Sequence, residues 1–282
     1  MFIVNSKKSR LADLIKKTER ELSALDNKRD ELLQQLSSLR KGLVPQEGGK
    51  QGDLTQTSST AVDFLSPPDK KIALFRSLFR GREDVFPLRF ESLRTGRSGY
   101  QPACHNEWIS GICKKPRGKC SDCEHRQFIP VSDEVISHHL RGAAPNLPQK
   151  EYCIGVYPML VDETCWFLAA DFDKDSWMED TKAFLSVCKA FEIPAALERS
   201  RSGKGGHIWI FFAEEVSAST ARKMGTYLLT ETMEQRPELG LESYDRFFPS
   251  QDTLPQGGLG NLIALPLQGR PRRGRRRPER AR

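Results

Sequence analysis

The chain has 282 residues and a mass of 32.0 kDa, which allows one large domain or two small domains with extensions. Its 15 Phe, 4 Trp and 5 Tyr exclude wholesale disorder, and no run of 18 apolar residues predicts a membrane span. The net charge of +7 equals that of residues 270–282, which hold eight Arg and one Glu, so residues 1–269 sum to zero. A nucleic-acid site in that body must therefore be a local patch. The opening MFIVNSKKSR does not read as a signal peptide, and we expect a cytoplasmic protein.

Leucine and isoleucine repeat at heptad spacing over residues 7–43, and charged residues fill most other positions. This pattern favours a coiled-coil helix that dimerises or docks a partner, over a single amphipathic helix packed against the body. Gly42 and Pro45 end the helix. Residues 44–69 are rich in Gly, Gln, Ser and Thr, which indicates a flexible linker. A helix with the sequence KKIALFRSLF follows Pro67 and Pro68.

Four of the seven cysteines lie within residues 104–123. Their spacing is Cys104-x8-Cys113-x6-Cys120-x2-Cys123, and four thiolates are a tetrahedral zinc set. Since a reducing compartment disfavours disulfides, we expect a structural zinc knuckle, with free buried cysteines as the alternative. The neighbouring His105 and His125 are substitute ligands.

The same loop carries a basic run, which either holds nucleic-acid phosphate or is simply a solvated loop. The run consists of Lys114, Lys115, Arg117 and Lys119. Trp108 is a candidate for stacking on bases, but we favour the interpretation that it belongs to the core of the knuckle.

From about residue 152 to 268 the pattern alternates between apolar strands and amphipathic helices. It predicts strand, helix, strand, strand, helix, strand, in an α+β sheet covered by two helices. The predicted strands are 165–173, 193–200, 207–212 and 261–267, and the predicted helices are 176–191 and 217–233, the second capped by Ser217 or Ser219.

Asp171 and Asp173 end the first of these strands, and residues i and i+2 of a strand point to the same face. Two carboxylates that close are costly unless a cation neutralises them, and Mg²⁺ or Mn²⁺ prefers such oxygens. The pair therefore indicates a metal site for phosphoryl transfer, with solvated aspartates at a strand end as the alternative. The same D-x-D pattern occurs in nucleotide-sugar transferases.

A basic glycine-rich turn joins the next two strands in the sequence ERSRSGKGGH, residues 198–207. Glycine lets the backbone approach an anion closely, and Arg199, Arg201, Ser202 and Lys204 add donors and charge. There is no G-x4-G-K-[ST] pattern, and we expect a triphosphate site rather than a dinucleotide site. The alternative is a basic hairpin turn with no ligand.

Together these parts resemble archaeo-eukaryotic primases, and most closely the primase-polymerase domain of TOTE conflict systems. The resembling stretches are GYQPACHNEWISGICKKPRGKCSDC, GVYPMLVDETCWFLAADFDKDSW, ALERSRSGKGGHIWIFF and SYDRFFPSQDTLPQGGLGNLIALPLQ. They lie within residues 70–269. The resemblance implies an RRM-like catalytic core with a zinc-knuckle insertion, acting as a DNA primase or polymerase in replication.

The resemblance also implies residue roles. Asp171 and Asp173 would hold catalytic Mg²⁺ or Mn²⁺, with Asp245 as the third carboxylate and Asp252 as the fallback. His207 would contact the phosphates of the incoming nucleotide. Helpers in that contact would be Arg201, Ser202 and Lys204, and the structural Zn²⁺ would be bound by Cys104, Cys113, Cys120 and Cys123.

The implied partners are a single-stranded or primed DNA template, nucleoside triphosphates, a helicase encoded separately and a second copy of the chain through the coiled coil. We expect residues 270–282 to be disordered, either as a DNA-binding arm or, as we favour, as a truncated or frameshifted end. The main alternative function is a non-catalytic or truncated zinc-containing nucleic-acid-binding module.

Overall fold

The structure is a computed structural model that describes residues 62–63, 65–92, 95–144, 146–235 and 243–274, and five isolated positions before them. Those five positions are helical: Lys17, Arg20, Lys28, Glu31 and Gln35. The chain divides into two units, 1–60 and 61–282. The rest of the predicted coiled coil over 7–43, and most of the predicted linker over 44–69, lie outside the described residues and stay predictions.

The described part of the second unit is a mixed helix-and-sheet fold, as the sequence pattern predicts. Its helices are α1 (Pro68–Leu78), α2 (Asp133–Arg141), α3 (Trp177–Ala190), α4 (Ala218–Gln235) and α5 (Gly269–Gly274). Its strands are β1 (Pro87–Glu91), β2 (Ser98–Pro102), β3 (Gly155–Val156), β4 (Thr164–Phe172), β5 (Ala196–Arg199), β6 (Gly206–Ser217), β7 (Tyr244–Phe248) and β8 (Ile263–Ala264). Among these helices none is long and apolar enough to cross a membrane.

The central sheet has four strands in the order β5-β6-β4-β7, and every neighbouring pair is antiparallel. Alternation along β4 divides the core into two layers. Leu168, Ala170 and Phe172 pack in one cluster with residues of α3 and α4. Phe167 and Ala169 pack in the other cluster, with residues of α1 and α2. The strand is therefore buried on both faces, which explains its nearly continuous apolar sequence.

The topology differs from the prediction in the last strand of the central sheet. The predicted strand over 261–267 is wrong for the central sheet: only Ile263–Ala264 is extended, and it pairs with β3 in a separate two-stranded sheet. The fourth strand of the central sheet is β7 instead, which pairs with β4. Both stretches carry short apolar runs, and strand partners cannot be read from such runs alone.

The prediction of disorder from residue 270 is wrong at its start, because Gly269–Gly274 is helical. The guanidinium Nη2 of Arg270 donates to the carbonyl oxygens of Pro148, at 3.3 Å, and Gln149, at 2.5 Å. The backbone N–H of Arg270 donates to Gln268 Oε1 at 2.8 Å. These contacts tie the beginning of the Arg-rich segment to the folded body, and residues 275–282 lie outside the described residues.

Candidate active site

Asp171 lies near the end of β4 on the face that carries Phe167 and Ala169. In the register of the sheet it is opposite His207 of β6 on one side and Arg246 of β7 on the other. His207 is in turn opposite Glu198 of β5. The antiparallel pairing thus brings charged side chains from all four strands into one row across the end of the sheet.

The centre of this row is a carboxylate–imidazole–carboxylate arrangement. His207 Nδ1 lies 2.9 Å from Glu198 Oε2, and His207 Nε2 lies 3.4 Å from Asp171 Oδ1. Glu198 Oε2 also accepts a hydrogen bond of 3.2 Å from Trp209 Nε1. Since a carboxylate only accepts, the ring nitrogen Nδ1 carries a proton, and Nε2 is the atom turned toward Asp171.

Burial and neighbouring charges shift the pKa values of this row. Burial raises the pKa of Asp171 to about 6; His207 opposes this shift, and the charges of Asp173 and Asp245 add to it. For His207, burial acts to lower the pKa, but the hydrogen bond and charge of Glu198, with the charges of Asp171 and Asp173, raise it overall. Perturbed groups that lie together in this way are typical of functional sites.

The basic turn between β5 and β6 is a tight hairpin loop. The N–H of Ser200 donates to Gly205 O at 2.9 Å, the N–H of Gly203 donates to Ser200 O at 2.9 Å, and Gly203 has a φ of +81°. The hydroxyl of Ser202 accepts from the N–H of Lys204 at 3.2 Å. The side chains of Ser202 and Lys204 are exposed, as donors to an anion must be.

Asp173 lies directly against this turn. A Cβ added at Gly205 would overlap Asp173 Oδ1 and the carbonyl oxygen of Phe172, so only glycine allows the turn to approach the acidic strand end this closely. The next residue, Gly206, packs in the same way against the ring of Trp177. The two glycines therefore bring the carboxylates of one motif and the basic turn of the other to the same place.

The two candidates for the third carboxylate lie in different surroundings. Asp245 lies at an irregularity of β7, because Tyr244 pairs with Phe172 while Arg246 pairs with Asp171. It is near enough to Asp171 to raise its pKa. Asp252 lies beyond β7 and forms an ion pair with Arg222 of α4. Asp245 also forms an ion pair, with Arg246 Nε at 2.7 Å, so the observation that distinguishes it from Asp252 is its charge interaction with Asp171.

A buried aspartate of α3 is hydrogen-bonded to the residue that precedes β7, next to the acidic end of the sheet. Asp180, in the first turn of α3, accepts from Ser243 Oγ at 2.5 Å and from Ser176 Oγ at 2.9 Å. The carbonyl oxygen of Ser243 accepts the N–H of Asp173 at 2.7 Å. This link fixes the start of β7 beside Asp173.

The donor set at the strand end fits a divalent cation in its chemistry. Asp171 Oδ1 is buried, accepts no hydrogen bond and has His207 Nε2 3.4 Å away, and its carboxylate shares the site with Asp173 and Asp245. A buried carboxylate oxygen without a hydrogen bond, beside other carboxylates, is what a hard cation stabilises. Within the described ranges, however, no group of three or more His, Cys, Asp or Glu side chains is placed so that it could hold a metal ion.

An apolar cavity of about 440 Å³ adjoins the row on its Glu198 side. Glu198, Arg199 and Arg201 line it next to the ring of Trp209. The guanidinium of Arg201 also donates to Glu151 Oε1 at 3.2 Å. The cavity therefore offers space for an organic ligand beside the basic turn.

The four cysteines of the loop face one small cavity of about 20 Å³, which His125 also lines. All four are half-buried free thiols. Burial raises the pKa of the Cys120 thiol; Lys115 opposes this shift, and the other three thiols add to it. The four thiols therefore lie near one another, but within the described residues they do not form a group placed to hold a metal ion.

Comparison with known protein families agrees with the resemblance seen in the sequence. A family model described as the archaeo-eukaryotic primase domain of TOTE conflict systems matches residues 70–277. Because this match covers well over half of the chain, the chain belongs to that family, and the predicted resemblance is confirmed. The match ends at 277 rather than at the predicted 269, and no curated protein matches the chain.

Sequence reasoning assigned no role to two residues of this site, and it misjudged one residue of the cysteine loop. Glu198 was recoverable, because a hairpin centred on the glycine turn places it opposite His207. Asp180 gave no signal, since an acid in the first turn of a helix is common. Trp108 was predicted to be knuckle core, which is wrong, because 62% of its surface is exposed.

Proposed function

We propose that this chain is a template-dependent DNA primase-polymerase of the TOTE type, which transfers a nucleotide onto a 3′-hydroxyl. Family membership supports primase-like nucleotidyltransferase chemistry. The observation that carries the finer proposal is the row of Glu198, His207 and Asp171, which ends in a buried carboxylate oxygen that accepts no hydrogen bond. The strand order β5-β6-β4-β7, with α3 after β4 and α4 after β6, supports an RRM-like core.

The acidic strand end would hold the catalytic cations. Asp171 and Asp173, with Asp245, would bind Mg²⁺ or Mn²⁺, as domains of this family generally use divalent metals. When bound, such ions stabilise negative charge on attacking and leaving oxygens. The role of these carboxylates is to orient the cation against the basic turn.

The basic turn would bind the triphosphate. Ser202 and Lys204 expose a hydroxyl and an ammonium group, and His207 Nε2 faces the same end of the sheet. Arg201 lies at the border of the adjoining cavity, where the nucleoside has room. Positioning and charge stabilisation of this kind are the main contributions that a protein makes to phosphoryl transfer.

The cysteine loop would bind one structural Zn²⁺ through Cys104, Cys113, Cys120 and Cys123. Support comes from the shared cavity and from the electrostatic coupling of the four thiols. Four thiolate ligands close the coordination shell, so this zinc would have a structural role.

The test is incorporation of labelled nucleotides on primed and unprimed single-stranded templates, with Mg²⁺ or Mn²⁺. We expect the wild-type chain to synthesise and the Asp171→Ala/Asp173→Ala double variant to lose synthesis while keeping its thermal unfolding midpoint. The unprimed reaction separates a primase from a polymerase that only extends. Synthesis retained in the double variant contradicts the proposal, and a folded wild type without synthesis favours a non-catalytic nucleic-acid-binding module.

A further inference from the structure

The cysteine loop presents an exposed apolar surface, which we call the Trp108 platform: Trp108, Ile109 and Ile112. Their exposed fractions are 62%, 42% and 37%. Exposure of three large apolar side chains within five residues is costly unless the surface has a binding partner. Apolar residues of α1, α2 and the sheet are buried in the core, whereas these three residues of the loop are not.

The backbone at Trp108 is strained in a way that presents the ring outward. Its φ is +60°, a left-handed conformation that bulky residues rarely adopt. Strain of this kind persists where the surrounding structure enforces it, and it concentrates at functional positions. Lys115 supplies part of that support, because its Nζ bonds Gln101 Oε1 at 3.1 Å and Glu107 Oε1 at 3.0 Å while lying 5.8 Å from the Trp108 ring centroid.

The charge around the platform identifies the partner. Residues 108–119 contain four cations, at 114, 115, 117 and 119, and no acidic residue. Lys114, Arg117 and Lys119 are exposed. An exposed aromatic ring in a loop that also exposes several cations suits a single-stranded nucleic acid, whose bases stack on the ring while its phosphates meet the cations.

The loop is connected to the proposed catalytic turn through polar contacts. It follows β2, and Lys115 anchors it to Gln101 of that strand. Arg89, on the partner strand β1, donates to Glu151 Oε2 at 2.9 Å, and Arg201 of the basic turn donates to Glu151 Oε1 at 3.2 Å. Glu151 therefore links the hairpin that carries the loop to the turn that would bind the triphosphate.

We propose that the Trp108 platform binds single-stranded template by base stacking. The inference rests on the proposed function for its purpose, but binding is measured without nucleotide or synthesis. The probe is a fluorescein-labelled oligothymidine, titrated with the zinc-loaded full chain and followed by fluorescence anisotropy. Trp108→Ala should weaken binding by about fivefold to a hundredfold, and Trp108→Phe, which keeps a stacking ring, should recover most of the affinity.

Two controls separate stacking from unfolding and from general charge effects. Met233→Ala removes a similarly exposed apolar side chain, 47% exposed, from α4 and should leave the affinity unchanged. Lys114→Ala/Lys119→Ala should weaken binding and reduce the slope of log affinity against log salt by about 1.4, at about 0.7 per phosphate contact. All variants must keep the wild-type zinc content and unfolding midpoint.

The outcomes are distinct. Wild-type affinity in Trp108→Ala overturns the inference, and so does a change in oligomeric state without a change in oligothymidine binding, which would make the platform a protein contact. If binding depends on Trp108 but no variant synthesises, the platform stands and the proposed function fails. If the wild type synthesises and Trp108→Ala binds normally, only the platform fails.

A separate observation assigns a role to Glu198. It holds His207 Nδ1 at 2.9 Å and Trp209 Nε1 at 3.2 Å through one carboxylate oxygen, and Trp209 is almost fully buried. The buried indole fixes the carboxylate, which fixes the imidazole plane. We infer that Glu198 is the positioning residue that holds His207 with Nε2 at the acidic end of the sheet, where the triphosphate would bind, an inference that rests on the proposed function.

Steady-state kinetics with varied nucleotide concentration test this role. Glu198→Ala should raise the nucleotide KM by about tenfold to a hundredfold with a smaller change in kcat, by analogy with the loss caused by removing the outer partner of a metal-binding His. Glu198→Gln should restore KM, because its amide oxygen accepts from Nδ1–H. In a His207→Ala background, Glu198→Ala should cause no further loss.

Independent losses in the double variant, or no rescue by Glu198→Gln, overturn the positioning role. If His207→Ala itself leaves the nucleotide KM unchanged, the proposed contact between His207 and the triphosphate fails first. Thermal unfolding of each variant identifies losses that come only from a weakened sheet.

Discussion

Gly205 determines how closely the basic turn approaches the acidic end of β4. A side chain there would overlap Asp173 Oδ1 and the backbone oxygen of Phe172. The residues with proposed chemical roles are therefore held in place by a position that has no side chain. Asp180 acts from the opposite side, since its bond to Ser243 fixes the strand that carries Asp245.

We predict that Gly205→Ala lowers kcat/KM for nucleotide incorporation by about a hundredfold, because displacement of the turn by about 1 Å misaligns the triphosphate and the carboxylates. The matched control is Gly96→Ala, at a position with φ +65° and no atom within 4 Å of an added Cβ. That control should cost about 1 kcal/mol of stability and leave kcat/KM unchanged. Equal activity losses in the two variants would contradict the role of close approach.

At this scale, the sequence predicts residue types better than it predicts their partners. The D-x-D pair and the Gly-rich turn predict Asp171, Asp173 and His207 as site residues, because such motifs are local in the chain. The choice between Asp245 and Asp252 depends on an irregular register in β7, which no local pattern encodes. Trp108 was misjudged because an aromatic in a cysteine loop has the same sequence signature whether it points in or out.

The helix and the strand that support the site begin and end within one residue of the bounds that the sequence pattern predicts. Helix α3 covers Trp177–Ala190 against a predicted 176–191, and β4 covers Thr164–Phe172 against 165–173. Ser217 accepts from the N–H of Thr220 at 3.2 Å, which selects it over Ser219 as the cap of α4. The wrong assignment concerns 261–267, where the partner strand is remote in the chain, and non-local pairing has no signature in a single segment.

His139 of α2 connects three elements that the sequence pattern leaves separate. Its Nε2 lies 2.9 Å from Pro266 O, and its Nδ1 accepts the N–H of Ile154 at 3.2 Å, so the ring is neutral with the proton on Nε2. Burial lowers its pKa from 6.5 to about 4, and the bond to Pro266 opposes this shift only in part. At pH values between about 4 and 6.5, His139 is therefore protonated in the unfolded chain and neutral in the folded chain.

We therefore predict that the free energy of unfolding falls as the pH is lowered from about 6.5 to about 4, by roughly 3 kcal/mol from this residue. Denaturant titrations across this range measure the loss. His139→Gln should lower stability at neutral pH but remove this part of the pH dependence. An unchanged pH profile in that variant would assign the effect to other groups.

The cysteine loop gives an element-scale test of the proposed zinc. We predict about one Zn²⁺ per chain by elemental analysis and a lower unfolding midpoint after chelation, because metal binding supplies the folding energy of such loops. Cys120→Ser/Cys123→Ser should lose the metal. Cys188→Ser, which alters a buried thiol in the α3–α4 layer, should keep it. A metal-free wild type, or full metal content in the double variant, would contradict the assignment.

Charge is distributed unevenly over the whole molecule. Residues 1–269 are neutral in sum, so long-range attraction of nucleic acid depends on the Arg-rich end and on local patches such as the cysteine loop. The first part of that end is anchored through Arg270. Residues 275–282 hold five Arg and one Glu, a net charge of +4.

Removal of residues 275–282 should therefore weaken binding of single-stranded DNA mainly at low salt. With about 0.7 counterions released per phosphate contact, the slope of log affinity against log salt should decrease by up to about 3. At saturating template, kcat should stay at the wild-type value, since the deletion begins beyond the last residue of α5. Anisotropy titrations at several salt concentrations measure the slope. An unchanged slope would show that these arginines do not contact phosphates, and a lost kcat would show that they act on the catalytic domain itself.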